Sequence, residues 1–525
     1  MARQTEKKNS FLGGMATMAA ALAVVKVIGM FYKIFIRRNL GSGYADFANA
    51  YNIYNVLLSV STAGLPVALS KMVAANHTLG RERQVDKVFR VSLAVFFTLG
   101  LTSTLVMFFG ADGRAAAMGD TKAASAIRCL APAILCVSCM CSFRGYFQGH
   151  SNMRPSAASQ VIEAAGKLMP LALLMAGIGV GAQAPAFAIS GVTLGSALAL
   201  SYMLLCYVRR PHYQDVSGRG TDRAGTLLKE LLIIAIPITL TASAISVINA
   251  IDEALVQDRL QSALGMVEDQ SRVLYAAYAG AKNLYNLPAS LVMAVTVSVI
   301  PAVSSALAVG RKGEASRLVK ASYHITALLV FPMGIGMSVL AEPIVRVLYG
   351  AEDAVLTGRL LSILGIAAIF VCMVTVSNSV LQSYGKQNLP VIVMICAGLV
   401  MLVVDYILVG IPSIHIFGSP IGNVCCFGVA AIADFTIIHR LMSRPPNYFR
   451  IFFGPALATA VMALAAGGAY RLAHLVVGNT LSLMVAILCA VAVYGFLVVW
   501  LQILSREELK LMPKGEKIAD FLKLP

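Results

Sequence analysis

Charged residues are scarce in this chain. Only 13% of the 525 residues are charged and 58% are hydrophobic, whereas soluble domains carry about 25% charged residues. This scarcity excludes an ordinary soluble protein. Apolar runs of about 18 to 30 residues alternate with short polar connectors, which indicates membrane-spanning helices rather than the strands of about ten residues that form a barrel. The predicted class is an all-α polytopic membrane protein.

Catalytic motifs are lacking as well. The sequence contains no H-E-x-x-H, P-loop or G-x-S-x-G motif, and no paired carboxylates in an extramembrane domain. We therefore expect no enzyme and no cofactor. Without a P-loop, ATP hydrolysis would require another chain. Transport should then be driven by an ion gradient (H+ or Na+ being the candidate coupling ions), by the membrane potential or by a substrate gradient.

Two further absences concern processing and metals. No A-x-A-like cleavage site closes the first apolar run, so the run from Phe11 onward is predicted to stay as a helix. The ten cysteines lie almost all inside apolar runs, and Cys136, Cys139 and Cys141 have no accompanying His cluster. We expect buried small hydrophobes and no metal site.

Basic residues are in excess, with a formal net charge of +17. They are spread over short loops without an aromatic-laced basic domain, which argues against a nucleic-acid partner. With a cytoplasmic N-terminus, most Lys and Arg fall in loops on the cytoplasmic side, for example Arg81, Arg83, Lys87 and Arg90. The positive-inside rule therefore predicts that both termini are cytoplasmic.

Fourteen spans are predicted, at 11–36, 47–75, 88–110, 123–147, 157–179, 184–208, 228–255, 273–308, 318–341, 355–382, 389–410, 417–439, 451–472 and 479–503. The Gly-rich basic stretch after span six is typical of a linker. The predicted division is an N-lobe at 1–208 (spans 1–6), a cytoplasmic linker at 209–226, a C-lobe at 227–440 (spans 7–12), two additional helices at 441–504 and a cytoplasmic tail at 505–525.

An internal repeat relates the two predicted lobes. Tyr51–Asn55 resembles Lys282–Asn286, Leu65–Ser70 resembles Ile300–Ser305, and Gln148–Pro155 resembles Gln382–Pro390. The orientation is the same in both members of each pair, so this is a parallel duplication with a pseudo-twofold axis along the membrane normal. Transporters of this kind bind substrate between the halves and alternate by rocking them.

Spans two and eight are interrupted, by Gly64-Leu-Pro66 and by Pro288 and Pro301, and both carry Asn and Tyr. Proline and amide side chains in a membrane helix favour a bend that lines a cavity. Packing as an ordinary kink is the alternative.

Lysines inside the first span point to an anionic substrate. Lys26 lies midway along it and Lys33 follows two turns later on nearly the same face, about 10 Å along the axis. An ionisable group at mid-membrane costs a few kcal/mol and needs a function or a partner. Lys282, inside span eight, is a third candidate for the same cavity. Such ammonium groups could hold a diphosphate, and a lipid-linked diphosphate sugar is the membrane substrate that best needs them.

Other charges have plainer interpretations. Lys71 and Arg144 are expected to extend to the membrane surface, and Glu163 with Lys167 to form a structural i,i+4 ion pair. The acids Asp46, Asp252, Glu253, Asp405 and Asp434 are candidate counter-ions or coupling sites. Asp252 and Glu253 are adjacent, so at most one of them faces a given cavity.

Several segments carry a family resemblance: VKVIGMFYKIFIRRNLG, YNIYNVLLSVSTAGLPVALSKMVA, FRGYFQGHSNMRPSAASQVIE and NLYNLPASLVMAVTVSVIPAVSSAL. They resemble the SpoVB/YtgP-like polysaccharide biosynthesis branch of the MOP (MATE-like) exporter superfamily, which is similar to the MurJ lipid II flippases. The resemblance implies a fold of fourteen helices, two six-helix lobes plus two C-terminal helices. It also implies a bacterial plasma-membrane flippase that moves an undecaprenyl-diphosphate-linked precursor outward by alternating access, for peptidoglycan or spore cortex.

The resemblance carries over to single residues only in part. The branch usually has arginine where this chain has Lys26 and Lys33, so charge is kept but bidentate phosphate geometry is lost. MurJ flippases place an Arg and a Glu where this chain has Asn283 and Asn286, beside Lys282. Asp46 falls near an acid of those flippases. The substrate-binding set is thus Lys26, Lys33, Lys282, Asn283 and Asn286, and the counter-ion or coupling set is Asp46, Asp252 and Glu253.

Three alternatives stay open at this point. One is a flippase for a lipid-linked O-antigen or teichoic-type polysaccharide. Another is a MATE-like ion-coupled multidrug antiporter, whose cavity should be acidic or aromatic. The last is a scaffold of a wall-synthesis or sporulation complex. The expected partners are the lipid-linked oligosaccharide, membrane lipids and cell-wall synthases.

Overall fold

A computed structural model describes residues 21, 24–25, 28–29, 31–62, 64–117, 123–150, 152–175, 184–210, 215, 220–292, 299, 303, 306–307, 310–352, 354–386, 388–442 and 445–503. By their internal contacts the residues divide into two compact units, Met1–Ala276 and Ala277–Pro525. The predicted lobes, 1–208 and 227–440, stay a prediction. Within the first unit the helix that follows the linker packs against helices from the N-terminal part of the chain.

The first unit is a bundle of helices. Its elements are α1 (31–40 of the described part), a 3-10 turn Gly41–Gly43, α2 Tyr44–Thr62, α3 Leu65–Thr78, α4 Glu82–Phe109, α5 Ala111–Ala117, α6 Ala124–Gly149, α7 Met153–Gly166, α8 Leu168–Met175, α9 Ala184–Val208, α10 Ala224–Ser262 and the first part of α11 Glu268–Tyr285. The central helix α6 packs against α2, α3, α4 and α9, and α10 packs against α2, α3 and α4.

The second unit continues from the last turns of α11. Its elements are α12 (287–292 of the described part), α13 Lys312–Val339, α14 Ala341–Leu348, α15 Ala354–Ser383, α16 Leu389–Val409, a 3-10 turn His415–Phe417, α17 Gly418–Leu441, α18 Tyr448–His474 and α19 Asn479–Trp500. Helix α15 packs against α13, α14 and α17, and α18 packs against α13 and α19.

Nine helices of the described residues are long and apolar enough to cross a membrane: α4, α6, α9, α13, α15, α16, the helical segment His415–Leu441, α18 and α19. They coincide with predicted spans 3, 4, 6 and 9 to 14. The other five predicted spans are interrupted, carry polar ends or lie partly outside the described residues. Together with the structural neighbours reported below, this fits the fourteen-helix fold, so the predicted fold class is confirmed.

The predicted break in span two is confirmed. Helix α2 ends at Thr62, and α3 begins at Leu65 with Pro66 in its first turn. The Gly64 N–H donates to Thr239 Oγ1 of α10 at 3.1 Å, which satisfies a donor that the break would otherwise leave in an apolar region. Span eight is interrupted too, at Asn286 just before Pro288. Pro301 lies outside the described residues.

Each unit has an aromatic cluster in its core. In the first, the Phe89 ring lies 5.3 Å from Phe143, 5.2 Å from Tyr146 and 4.7 Å from Tyr207 between centroids. In the second, Tyr323 is fully buried, its hydroxyl lies 2.7 Å from Ser377 Oγ and its ring contacts Phe435. These clusters join α4, α6 and α9 in one unit and α13, α15 and α17 in the other.

Candidate functional site

Lys33 is the candidate binding residue with the clearest surroundings. It lies on α1, is half-buried, and its Nζ is 5.3 Å from the centroid of the Tyr51 ring. Tyr51 belongs to an aromatic row along α2 (Tyr44, Phe47, Tyr51 and Tyr54) with neighbouring centroids 5.6 to 5.9 Å apart. A ring face attracts a cation by about 0.5 to 2 kcal/mol, so the row holds an ammonium group beside the apolar part of α1.

A second cation, Arg37, uses the same row at its end. Arg37 is only 2% exposed, donates from Nη1 to the Gly41 carbonyl at 2.7 Å, and lies over the Tyr44 ring at 5.8 Å. Its position one turn from Lys33 gives α1 two cations on rings of α2. Arg37 was not among the predicted site residues, because it lies one position beyond the predicted span 11–36.

Asp46 lies in a buried ion pair. It accepts from Arg272 Nε at 3.1 Å and from Arg272 Nη2, and both side chains are 6% exposed. Arg272 also donates from Nη1 to Asp269 at 3.1 Å, one turn earlier on α11. The candidate counter-ion Asp46 thus neutralises an arginine rather than a lysine. Sequence reasoning missed Arg272 because 226 positions separate the partners and no local pattern links them.

The same face of α2 makes two more polar contacts in the first unit. Gln257 Nε2 donates to Asn49 Oδ1 at 2.8 Å and Asn49 Nδ2 donates back at 3.4 Å, both residues being fully buried. One turn further, Asn52 Nδ2 donates to the Tyr275 hydroxyl at 3.1 Å. The buried amide groups of Asn49 and Gln257 thus satisfy each other, as buried polar groups generally do.

The remaining candidate acids are buried side chains on long helices. Asp252 and Glu253 lie on α10 in the first unit, 0% and 4% exposed, and Asp405 and Asp434 lie on α16 and α17 in the second unit. A buried carboxylate needs compensation or takes up a proton. These positions therefore stay candidates for coupling.

A cluster of three charges links α6 to α7. Arg144 Nη2 is 3.1 Å from Glu163 Oε2 and Arg144 Nε donates to Ser159 Oγ at 2.9 Å, while Lys167 Nζ is 3.7 Å from Glu163 Oε1. The predicted Glu163–Lys167 pair is confirmed. The expectation that Arg144 extends to the membrane surface is wrong, because its guanidinium is drawn inward to that carboxylate. Lys71 is exposed, as expected.

The candidates of span eight lie in the second unit. Lys282 is half-buried with its Nζ 5.4 Å from the centroid of the Tyr278 ring, and the Tyr278 hydroxyl accepts from Asn423 Nδ2 at 2.8 Å. Asn283 is half-buried. Asn286 is exposed and donates to the Lys282 carbonyl at 2.8 Å, as the last turn of α11 ends. Lys282 thus repeats the lysine-on-tyrosine arrangement of Lys33.

The candidate set is distributed between the two units. Lys33, Asp46, Asp252 and Glu253 belong to the first, and Lys282, Asn283 and Asn286 belong to the second. Lys26 lies outside the described residues. The assignment of these residues to one substrate site accordingly stays a prediction.

Comparison with known families assigns the chain. The polysaccharide biosynthesis protein family matches residues 11–307, and the MatE family matches residues 262–407. The lipid II flippase MurJ of Bacillus subtilis (strain 168) is 22% identical over 498 residues, 90% of each chain. Stage V sporulation protein B of the same organism is 24% identical over 368 residues, 66% of this chain and 68% of that protein.

Solved structures show the same fold. Lipid II flippase MurJ in an inward closed conformation has a TM-score of 0.71 at 15% identity, covering 92% of this chain and 98% of that one. An inward-facing multidrug resistance MATE family transporter of the MOP superfamily has a TM-score of 0.68 at 18% identity, covering 80% and 97%. The chain therefore belongs to the polysaccharide biosynthesis protein family and is a multi-pass membrane protein, a MurJ-like member of the MOP superfamily.

Proposed function

We propose that this protein is a flippase that moves an undecaprenyl-diphosphate-linked cell-wall precursor, lipid II, from the inner to the outer leaflet of the bacterial plasma membrane. The observation that carries the proposal is Lys33, a half-buried ammonium held over Tyr51 on a membrane helix. The whole-length likeness to a lipid II flippase supports the substrate class. Both termini are cytoplasmic in this proposal, and no enzymatic step is involved.

Lys33 would contribute charge without rigid geometry. An ammonium is a compact point charge with three rotatable donors, so it can follow a diphosphate while the head group moves. Attraction between opposite charges is several times stronger in a partly desolvated site than in water. Lys26, on the same predicted face, would add a second charge. Lys282, Asn283 and Asn286 are the remaining members of the proposed binding set.

Energy coupling is assigned to an acid of α10. Asp46 already neutralises Arg272, and a carboxylate that compensates a buried arginine gains little by releasing that charge to bind a cation. We propose that Asp252 or Glu253 binds the coupling ion, H+ or Na+, if the cycle is ion-driven. Membrane lipids and cell-wall synthases are the proposed partners.

Replacement of the span-one lysines tests this function. We expect Lys33→Gln to reduce precursor export, and Lys26→Gln with Lys33→Gln together to abolish growth in cells depleted of their own lipid II flippase. Arrival of the precursor at the outer leaflet is the direct measurement. Lys33→Arg should be tolerated because it keeps the charge. Lys71→Gln is the matched control, since Lys71 is exposed on α3 of the same unit.

Full growth of the double variant at normal protein level would contradict the proposed site. Complementation of an O-antigen or teichoic-type flippase defect, instead of the lipid II defect, would keep the diphosphate chemistry and change the head group. A scaffold role would be indicated if every lysine variant supported growth.

The MatE match over residues 262–407 and the MATE structural neighbour favour one second candidate, an ion-driven multidrug antiporter. This function requires export of a cationic dye by reconstituted protein under an ion gradient. Lysines on span one argue against it, because they would repel a cationic substrate. Dye export that is unaffected by Lys33→Gln would favour the antiporter over the flippase.

A further inference from the structure

Three side chains that can ligate a metal meet at one end of the first unit. His77 is the penultimate residue of α3, Glu82 is the first residue of α4, and His150 directly follows α6. One donor atom from each lies within 4.8 Å of the others. The proposed function uses none of these residues. The sequence predicted no metal site because no His cluster accompanies the cysteines. His77 and Glu82 are five positions apart, and only the fold brings His150 to them.

Local backbone features explain why they meet. Gly80, with φ +68°, occupies the left-handed region that glycine favours, and it turns the chain so that α4 starts beside the end of α3. Helices α3 and α6 approach closely at Gly149, where an added Cβ would lie 2.6 Å from the Val73 side chain. His77 is one turn beyond Val73, and His150 is the residue after Gly149. Both imidazoles therefore emerge from the same close contact.

The donor atoms have spacings near those of a metal site. The Nδ1 of His77 contacts Glu82 Oε1, the Nε2 of His150 is 3.7 Å from Glu82 Oε2, and the two imidazole centroids are 4.6 Å apart. Neighbouring ligands of one tetrahedral Zn2+ are about 3.3 Å apart, given bonds of about 2.0 to 2.2 Å. The three donor atoms lie within 4.8 Å of one another, so small movements of the side chains would bring them to this separation.

The tautomer of His150 suits a ligand. A carbonyl can only accept, so the 3.0 Å contact of His150 Nδ1 with the Tyr146 carbonyl is a donated N–H bond. The lone pair of the neutral ring is then on Nε2, which faces Glu82. Metal-bound histidines are usually oriented by such a hydrogen bond from the other ring nitrogen.

The cluster is open to solvent on the side of His77. The side chain of His150 is 2% exposed and that of Glu82 is 11% exposed, whereas that of His77 is 36% exposed. Two imidazoles and one carboxylate suit Zn2+ and similar transition ions, while Mg2+ and Ca2+ prefer oxygen ligands. Three protein ligands with an accessible fourth position are typical of an open zinc site.

We propose that His77, Glu82 and His150 form a site for a divalent transition-metal ion, Zn2+ foremost, that joins the ends of α3, α4 and α6. Because α3 is the second half of the broken span two, the ion would hold this segment to α4 and α6. The site stands independently of the flippase function.

Metal titration of the untagged full-length protein in detergent tests the site. After removal of metal with a chelator, we expect about one Zn2+ per chain to rebind and the melting temperature to rise with its concentration, and Mg2+ to have no effect. Co2+ should give the intense visible absorption of a four-coordinate site. We expect Glu82→Gln, which keeps the shape of the side chain, and His77→Ala to weaken Zn2+ binding by more than about tenfold.

His474→Ala is the matched control, because His474 is an exposed histidine at the end of α18. Glu82→Gln covers the case in which replacement of a histidine prevents folding. Zn2+ binding that is equal in the native protein and in both ligand variants, or no uptake at micromolar Zn2+, would overturn the proposal. In either case the three residues would form only a hydrogen-bonded contact between helix ends.

Discussion

Charged side chains inside the first unit are stabilised by specific partners. Arg272 has Asp46 and Asp269, Arg144 has Glu163 and Ser159, and Lys33 has the ring of Tyr51. A buried ion pair adds little net stability compared with an apolar pair, but removal of one partner leaves an uncompensated charge. Lys33 differs from the two arginines because its described contact is with an aromatic ring rather than with a carboxylate, and such a contact is worth about 0.5 to 2 kcal/mol.

The pair of Asp46 and Arg272 gives a residue-scale prediction. Asp46→Asn should reduce stability by about 3 to 5 kcal/mol, the usual cost of breaking a buried pair, with the remaining Asp269 contact favouring the lower end. The melting temperature of the purified protein in detergent measures this. Asp269→Asn is the control and should cost about 1 kcal/mol or less, because the Asp269 side chain is 70% exposed. An equal loss in both variants would show that Asp46 is not the main partner.

Sequence spacing predicted the ion pair of Glu163 and Lys167 and missed the contacts between different helices. Glu163 and Lys167 are four residues apart on a helix, so their pairing follows from helical geometry alone. The partners Asp46 and Arg272, Asn49 and Gln257, and Arg144 and Glu163 come from different helices. Those contacts depend on which helices are neighbours, and residue spacing along one chain does not contain that information.

At the scale of helices, the break between α2 and α3 has two causes, a proline and the close packing of α10. Pro66 cannot continue the hydrogen-bond pattern of α2, and Gly64 lets α10 approach the chain at the break. A Cβ on Gly64 would lie 2.1 Å from the Ala235 carbonyl oxygen and 2.6 Å from Thr239 Oγ1. The effect of Pro66 on the helix could be predicted from the sequence. The need for glycine at position 64 could not, because it depends on the contact with α10.

Gly64→Ala should therefore destabilise the first unit by about 1 to 3 kcal/mol, the cost of inserting a methyl group into a packed contact. The clash is with backbone, so α10 or the break itself must shift, and we expect precursor export to fall as well. Thermal unfolding in detergent and the depletion assay measure the two effects. Gly113→Ala is the control, since nothing lies within 4 Å of an added Cβ in α5. Equal stability of both variants would contradict the close approach of α10.

At the scale of the whole molecule, hydropathy predicted the continuous helices well. All nine of the long apolar helices found among the described residues coincide with predicted spans. The bounds and continuity of the less regular spans were predicted less well. Span two is divided into α2 and α3, and span five into α7 and α8, while α10 has 39 residues and extends beyond span seven at both ends. Polar groups that pair with neighbouring helices reduce the mean hydropathy of such segments, so composition alone describes them poorly.

The orientation of these spans in the membrane gives the last prediction. A cytoplasmic linker is predicted from the basic residues at 209–226 and from the even number of predicted spans before it. Asp215 and Asp222, within this stretch, contact the start of α4. A cysteine introduced as Arg219→Cys should resist a membrane-impermeant maleimide in intact cells and react after permeabilisation. The matched variant Val476→Cys, in the exposed turn between α18 and α19, should react from outside. The native chain, with its ten cysteines, sets the background. Equal labelling of the two variants would contradict the predicted number of spans between the two positions, because an error of one span would put both on the same side. Exchanged labelling would leave the number of spans unchanged and invert the predicted orientation.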